Sequence, residues 1–551
     1  MVMKEKDISR RSYVKYVAGA AVAAALAGAG YYAYETSKPP PTPTPTATPT
    51  PTATATVTVK PTPTATPLAD VPLQRAVDGI KALMDAGKIP KGTVINIGNE
   101  EGFQSNAVTE SAKKFYEVTG FSRSDFDIKS LGVPFVNLYE RWIAEAASKT
   151  GGYDIVWGVA GYMLADLVVS GLAMPLDDYL AKYDPDGALM NNVVTSVRKT
   201  QAIVADKHYA LPSDGDVFLM FYRKDLLEDP IEKTDYEAKY GYPLGVPQTW
   251  EEYMDHAEFF TRKKGEKLMG QTLDENFYGV AEWRLKYCTF DWFFTRMCEL
   301  REDATRVYFD PDTMEPLFNK PPGAEILEYM KKLNSYMAPI PPWSYSENLT
   351  AFLSGIIAQW VTWPGPARFA ADPSKSQIVG KCGTSIIPHG VVNGKKIQRS
   401  QLATGYCALV NAYSKNKELA YLVNQALHSP TTARVQVSIS KSNIDPYLYS
   451  QFEDLQLRAG HFEGFEWSTG AAEWLDALRN SLEVGFPELN IPGFWKYMDP
   501  LETNISRFMA GEMRAQEALD DAAKQWKQTT EDLGFDQQKT YYQALCRLMP
   551  P

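Results

Sequence analysis

Two aspartates in the middle of the chain, Asp214 and Asp216, stand on either side of Gly215, directly before an apolar run at 217–222. The run has the composition of a strand, and a glycine between acidic residues indicates a turn. A carboxylate accepts short, charge-assisted hydrogen bonds from hydroxyl groups. One loop could therefore aim both carboxylates at a single polar solute. The same residues are also typical of a turn without a ligand, since aspartate bonds to its own backbone there.

Catalytic and metal chemistry find little support in the rest of the sequence. The histidines, at positions 208, 256, 389, 428 and 461, form no spaced cluster, and no HExxH, G-x-S-x-G or P-loop motif occurs. A glycosidase needs two carboxylates that flank a bond, which residues two apart on one loop supply poorly. We therefore expect no enzyme, no metal and no cofactor.

The composition of the chain limits the classes of partner that it can be expected to bind. Its 551 residues carry a net charge of -11, which argues against a nucleic-acid partner. It contains 12 Trp, 31 Tyr and 24 Phe; flat apolar rings can stack on sugar faces, although most such rings are ordinary core. The cysteines show no zinc-ligand spacing. Cys382 and Cys407 could pair if their strands are neighbours, and buried free thiols are the alternative that we favour.

The N-terminal residues have the pattern of an export and presentation segment. Arg10 and Arg11 precede an uncharged stretch at 16–34, which is typical of a twin-arginine signal. As a helix this stretch spans about 29 Å, enough to cross a bilayer, so it is either cleaved or retained as a membrane anchor. Residues 36–67 alternate Pro and Thr, which predicts an extended stalk with sites for O-glycosylation. We expect the remaining chain to lie at the outer face of the membrane.

Beyond the stalk, short apolar strands alternate with helical patterns. The pattern predicts strands at 93–98, 153–157, 379–388 and 401–412, and helices at 106–119, 135–149, 282–298, 322–337 and 512–527; a capping box at 249–252 opens a further helix. Such alternation indicates an α/β fold with a mainly parallel sheet, in which ligands bind beyond the carboxyl ends of the strands. Residues 99–103 and 158–162 are such ends.

Taken in order, several segments resemble the extracellular solute-binding proteins of ABC importers, in the maltose and multiple-sugar family. The segments are 154–158, 170–172, 175–179, 209–225, 249–252, 363–366 and 411–418. The resemblance covers roughly residues 90 to 530 and implies a fold like the type II periplasmic binding proteins, with two α/β lobes around an interlobe cleft and a hinge crossed three times. It implies that 68–213 and 367–437 form the first lobe, that 218–362 and 444–551 form the second, and that the crossings fall at 214–217, 363–366 and 438–443.

The resemblance also implies candidate ligand contacts. Asp216 holds the place of a sugar-binding carboxylate, Asp214 lies beside it, and Trp495 matches a stacking aromatic near the C-terminus. Trp363 begins the hinge motif. The other candidates line the second lobe's wall or follow strands: Trp283 and Trp292, of which one should face the cleft and the other the core, then Glu282, Arg284, Gly161, Tyr162, Gly405, Tyr406, Asn99, Glu100 and Phe103.

The functional hypothesis follows from this resemblance. It is a monomeric extracellular receptor that captures a mono- or oligosaccharide between its lobes, closes around it and delivers it to ABC permease subunits. Two alternatives stay open: the same fold binding a peptide, polyol or other polar solute, and a structural cell-surface protein that has lost transport.

Overall fold

The computed structural model describes residues 70–339, 343–439, 441–462, 465–467 and 469–550. The predicted export segment and stalk lie outside these residues. Across the described ranges, no helix combines the length and the apolar character that a membrane span needs.

Strands and helices alternate along the described chain, as the sequence predicted. The strands are β1 (Val94–Glu100), β2 (Asp127–Val133), β3 (Ile155–Ala160), β4 (Ile203–Val204), β5 (Lys207–His208), β6 (Ala210–Pro212), β7 (Leu219–Arg223), β8 (Lys267–Leu268), β9 (Gln271–Thr272), β10 (Tyr278–Ala281), β11 (Ile357–Thr362), β12 (Cys382–Ile386), β13 (Gly390–Val392), β14 (Lys395–Ile397), β15 (Ser400–Leu402), β16 (Tyr406–Val410), β17 (His461–Phe462), β18 (Phe465–Glu466) and β19 (Gly485–Pro487).

The α-helices lie between and after these strands. They are α1 (Val71–Asp85), α2 (Phe103–Thr119), α3 (Leu138–Ser148), α4 (Leu164–Val169), α5 (Asp177–Tyr183), α6 (Thr195–Ala202), α7 (Lys224–Glu228), α8 (Pro230–Tyr240), α9 (Trp250–Phe260), α10 (Thr289–Glu299), α11 (Gly323–Leu333), α12 (Tyr345–Leu353), α13 (Pro366–Ala371), α14 (Lys417–Leu427), α15 (Pro430–Ser438), α16 (Tyr449–Phe452), α17 (Leu455–Arg458), α18 (Ala471–Glu483), α19 (Phe494–Met509), α20 (Ala515–Leu533) and α21 (Phe535–Cys546).

The first lobe is built on a sheet with the order β2-β1-β3-β16-β6. β1 is parallel to β2 and β3, whereas β16 runs antiparallel to β3 and β6. Every residue of β3 is buried, as expected for an apolar strand in a sheet covered on both faces by helices. The predicted α/β fold is confirmed, with β16 as a reversed strand in an otherwise parallel sheet.

The second lobe is built on a sheet with the order β10-β11-β7-β12. β10 and β11 are parallel, and β7 is antiparallel to both β11 and β12. β11 is buried throughout. The aromatic-rich helix α10 packs against α11 and α19 beside this sheet, so the core of this lobe is rich in Phe and Trp.

The chain passes between the two sheets at three places. It leaves β6 for β7 through residues 213–218, returns from β12 to β16 through 387–405, and leaves again after α15, which packs on α2, to reach α18, which packs on β12. The parallel pair of β15 and β19 joins the second passage to the segment that follows α18.

The second crossing lies later in the chain than the sequence predicted. The crossing was expected at 363–366, with residues from 367 onward in the first lobe. Instead β12 pairs with β7 of the second sheet, so the chain changes sheets only after Ile386. Cys382 and Cys407 consequently lie in different sheets, and both are free thiols.

Local backbone geometry explains where other predicted boundaries moved. The strand predicted at 401–412 is divided into β15 and β16 because Thr404 has φ +71°, which a continuous strand does not permit. The helix predicted at 282–298 begins only at Thr289, after Tyr287 with φ +95°. The helix predicted at 512–527 extends from Ala515 to Leu533 and is followed by α21, which the pattern did not predict.

Candidate functional site

A cavity of about 280 Å³ opens between the two sheets. Its volume lies just below the usual range of about 300–1,000 Å³ for small-molecule pockets. Both lobes and the segments that join them contribute to its wall. The lining residues are Glu100, Phe103, Gln104, Phe135, Asp214, Asp216, Trp283, Cys288, Tyr345, Ser346, Trp363, Thr404, Tyr406, Asn443 and Ile444.

Glu100 and Tyr406 form the first lobe's polar contribution to the cavity. Glu100 ends β1 and Tyr406 begins β16, and the Tyr406 hydroxyl donates to Glu100 Oε2 at 2.9 Å. The Glu100 backbone N–H donates to Gln104 Oε1 at 3.0 Å, which fixes the exit of the strand. Burial raises the pKa of Glu100 to about 7, although the Tyr406 bond acts in the opposite direction. Phe103, at the start of α2, is 42% exposed at the cavity's rim.

The turn that carries Asp214 and Asp216 is held against the third interlobe passage. The Asp445 N–H donates to Asp214 Oδ1 at 2.8 Å, and the Gly215 N–H donates to the Asp445 carbonyl at 3.1 Å. A Cβ on Gly215 would lie 2.0 Å from the carbonyl oxygen of Pro446. The glycine is therefore needed for close backbone approach, and this approach points both aspartates into the cavity.

These two carboxyl groups are strongly buried and mutually repulsive. Burial raises the pKa of Asp214 well above its ordinary value, and the charge of Asp445 adds to the effect. Burial also raises the pKa of Asp216, followed by the charges of Asp214 and Asp445. Asp445 itself pairs with Arg368 at 2.8 Å. Asp216 is 5% exposed, and its Oδ1 has no hydrogen-bond partner within the described part of the chain.

The same acidic cluster could hold a metal ion, which the sequence did not predict. One carboxylate oxygen from each of Asp214, Asp216 and Asp445 lies within 4.8 Å of the other two. Three oxygen ligands of this type suit a hard cation such as Ca²⁺ or Mg²⁺.

Two indole rings, Trp283 and Trp363, form the aromatic wall. Their centroids are 5.9 Å apart and their planes meet at 82°. The Trp363 indole N–H donates to the Ala403 carbonyl at 3.0 Å, and that of Trp283 donates to Leu285. Because both indole N–H groups bond to backbone, the rings are held in place. Trp292 stacks behind Trp283 at 6.4 Å and is fully buried.

Several residues predicted as ligand contacts lie outside the cavity wall because they bond elsewhere. Glu282 is fully buried and pairs with Arg284 at 2.9 Å and with Arg296. Asn99 bonds to the Ile97 carbonyl and to Ser130. These groups support the strands behind the wall.

The two candidate glycines, Gly161 and Gly405, contribute backbone hydrogen bonds and close packing. The Gly161 N–H donates to the carbonyls of Thr404 and Gly405, and a Cβ on Gly405 would lie 1.8 Å from Gln201 Nε2. In the loop between β15 and β16, which contains Gly405, Thr404 is the residue that lines the cavity.

Trp495 and Tyr162 pack against each other instead of lining this cavity. Their ring centroids are 5.6 Å apart, and Trp495 also lies 5.9 Å from Tyr287. Tyr162 stacks on Phe494 at 4.3 Å. This aromatic cluster joins the loop after β3 to the start of α19, so it connects the two lobes beside the cavity. The ligand contact predicted for Trp495 stays a prediction.

The sequence did not single out other parts of the wall. These are Gln104, Phe135, Cys288, Tyr345, Ser346, Thr404, Asn443 and Ile444. Asn443 falls in the predicted third crossing, which was a usable signal. Tyr345 begins α12 and carries no local signal of its position; among the residues that the structure describes, its hydroxyl has no hydrogen-bond partner.

Comparison with known proteins identifies the family. The family described as bacterial extracellular solute-binding protein matches residues 104–430, more than half of the chain. This chain belongs to that family. A probable amino-acid ABC transporter periplasmic-binding protein, y4oP of Sinorhizobium fredii, is 23% identical over 355 residues, which is 60% of this chain and 70% of the relative.

Solved structures of solute-binding proteins share the fold. A ribitol complex from Agrobacterium radiobacter K84 has a TM-score of 0.61 at 22% identity and covers 80% of this chain and 99% of its own. The maltose-bound MalE3 of T. maritima has a TM-score of 0.59 at 14% identity and covers 80% and 100%. At these identities the likeness concerns the fold, and it confirms the predicted two-lobed architecture of this solute-binding protein.

Proposed function

We propose that this solute-binding protein captures a compact hydroxylated solute, a sugar or polyol, in the interlobe cavity and delivers it to the permease of an ABC importer. The observation that carries the proposal is the joint wall, in which carboxylates from the first lobe and from the turn between the lobes meet two fixed indoles. Carboxylates accept from hydroxyl groups, and indole faces suit the apolar faces of a sugar ring.

The size of the cavity favours a small cargo. About 280 Å³ equals the liquid volume of roughly nine water molecules, at about 30 Å³ each. A monosaccharide or a linear polyol fits this space better than a long oligosaccharide. The ribitol and maltose ligands of proteins with this fold support the same class.

The proposal includes attachment outside the cell. The twin-arginine pattern and the Pro/Thr tract before residue 68 support export, and a stalk of roughly 32 residues could extend about 100 Å. A solute that contacts both lobes favours the closed state. The protein would then present itself to the permease as a closed monomer with its solute bound.

A thermal-shift screen of the full chain with sugars, polyols, amino acids and peptides tests the proposal. We expect a raised melting temperature with hydroxylated solutes, since binding to the native state stabilises it. Small-angle scattering with a hit should show a smaller radius of gyration if the lobes close. Stabilisation by amino acids alone, the class named for the Sinorhizobium relative, or by peptides alone would contradict the sugar or polyol assignment.

A further inference from the structure

The charges around the cavity are of one sign. Glu100, Asp214 and Asp216 contribute carboxyl groups to the wall, and none of the described residues that line it is Lys, Arg or His. The nearby cation Arg368 is engaged by Asp445. Buried carboxylates are stable as ions only when an opposite charge or several hydrogen bonds compensate them.

The buried polar atoms of the wall that lack partners among the described residues are of both kinds. Gln104 Nε2 is a donor and the Tyr345 hydroxyl can donate, whereas Asp216 Oδ1 and Asn443 Oδ1 are acceptors. Asp216 is 5% exposed, and its free oxygen is the one that carries charge. A neutral hydroxyl offers this oxygen one donor, whereas an ammonium group offers three donors and the positive charge that the wall lacks.

The aromatic wall is compatible with the same kind of group. Trp283 and Trp363 meet at nearly a right angle, and Tyr345 lies 5.9 Å from Trp363. Cations bind over the faces of Trp and Tyr, and more strongly in a desolvated site. Carboxylates and indoles in one small cavity thus select for positive charge by two independent means.

We propose that the solute carries a protonated amine beside its hydroxyl groups, as an amino sugar or amino polyol does, with the ammonium seated on Asp216. This inference rests on the proposed function and names its substrate class. The hydroxyls are left to Glu100, Tyr406 and Asn443, and the carbon skeleton to the indoles.

The titratable groups that face Asp216 are acidic. They are Asp214, Asp445, Glu100 and Glu488, with Arg368 near Asp445 and the hydroxyls of Tyr345 and Tyr406 at the wall. A neutral sugar can donate hydroxyl hydrogen bonds to such carboxylates, but it leaves their charges uncompensated. An ammonium among them supplies the opposite charge as well as donors.

Matched solutes separate these cases. Isothermal titration of the full chain at pH 7 compares D-glucose with D-glucosamine, and D-glucitol with 1-amino-1-deoxy-D-glucitol. We expect at least one amine to bind tenfold or more tightly than its neutral partner. Equal or tighter binding of the neutral partners overturns the inference and leaves the proposed function intact. Absence of binding by every compound overturns both.

Substitutions test which side chain recognises the positive charge of the solute. Asp216→Asn should bring the amine to within about threefold of its neutral partner, while Asp178→Asn, an exposed carboxylate on α5, should keep the wild-type preference. Retention of the full preference by Asp216→Asn overturns the assignment to Asp216. Calcium chloride alone is a further arm: stabilisation by Ca²⁺ with no amine preference assigns the cluster to a metal and overturns the amine.

Discussion

At the scale of single residues, the tryptophans differ in whether they line the cavity, and their residue type alone does not show which of them do. Trp283 and Trp363 line it, Trp292 is buried behind them, and Trp495 packs with Tyr162 beside it. The types of these residues indicated sugar stacking. Their positions decide which of them can reach a solute, and position depends on contacts distant in sequence.

Trp283→Ala should weaken solute binding by about tenfold, because a lost aromatic contact costs about 0.5–1.5 kcal/mol beyond the buried area. Trp495→Ala is the matched control and should change the dissociation constant by less than threefold. Titration calorimetry of both variants with the best hit of the solute screen measures this. A larger loss in Trp495→Ala than in Trp283→Ala would place the stacking site at the Trp495 cluster instead.

At the scale of elements, the turn between β6 and β7 depends on one close backbone approach. Gly215→Ala would place a Cβ 2.0 Å from the Pro446 carbonyl, so the turn must shift and move Asp214 and Asp216. We expect a lower melting temperature and at least tenfold weaker solute binding. Gly245→Ala is the control, because a Cβ there meets no atom within 4 Å. Unchanged binding in Gly215→Ala would show that the turn does not position the ligand.

The second lobe has a buried ionic anchor between β10 and α10. Glu282→Ala leaves Arg284 and Arg296 without their carboxylate, and removing one partner of a buried pair costs about 3–5 kcal/mol. Chemical denaturation should show a loss of that size. Glu258→Ala, which breaks an exposed pair with Lys239, should cost less than about 1 kcal/mol. Similar losses in both variants would contradict a structural role for Glu282.

The elements also show how far the sequence could predict this molecule. Apolar runs and capping residues predicted β1, β3, β7 and α9, because such patterns reflect local burial and hydrogen bonding. β12 was expected in the first lobe but pairs with β7 of the second sheet, since strand pairing is set by long-range packing. Asp214, Asp216, Glu100 and Trp363 were predicted and share the cavity, whereas Tyr345 reaches it through the fold of the second lobe.

At the scale of the whole molecule, the described chain buries an excess of carboxyl groups around its interlobe cleft. Burial raises the pKa of Asp445 to about 6, of Glu502 to about 7 and of Glu488 to about 8. Burial also raises the pKa of Asp291 well above its ordinary value, and the charges of Glu488 and Glu502 raise it further. A fold with this arrangement binds more protons at neutral pH than its unfolded chain does.

Stability of the solute-free protein should therefore fall as pH rises from 6.5 to 8. Each of these carboxyl groups has a pKa near 4 in the unfolded chain but keeps its proton to a higher pH in the folded protein. The free energy of unfolding therefore falls with rising pH until the pH exceeds the pKa of the group in the folded protein. Burial lowers the pKa of His256 to about 3 and of His428 to about 4. This opposes the trend mainly below about pH 7, where unfolded histidine carries a substantial fraction of a proton. Melting temperatures at pH 6.5, 7.2 and 8 measure the slope, and Glu488→Gln should reduce it. A flat or rising profile would mean that the cleft carboxyls are already ionised and compensated without a solute.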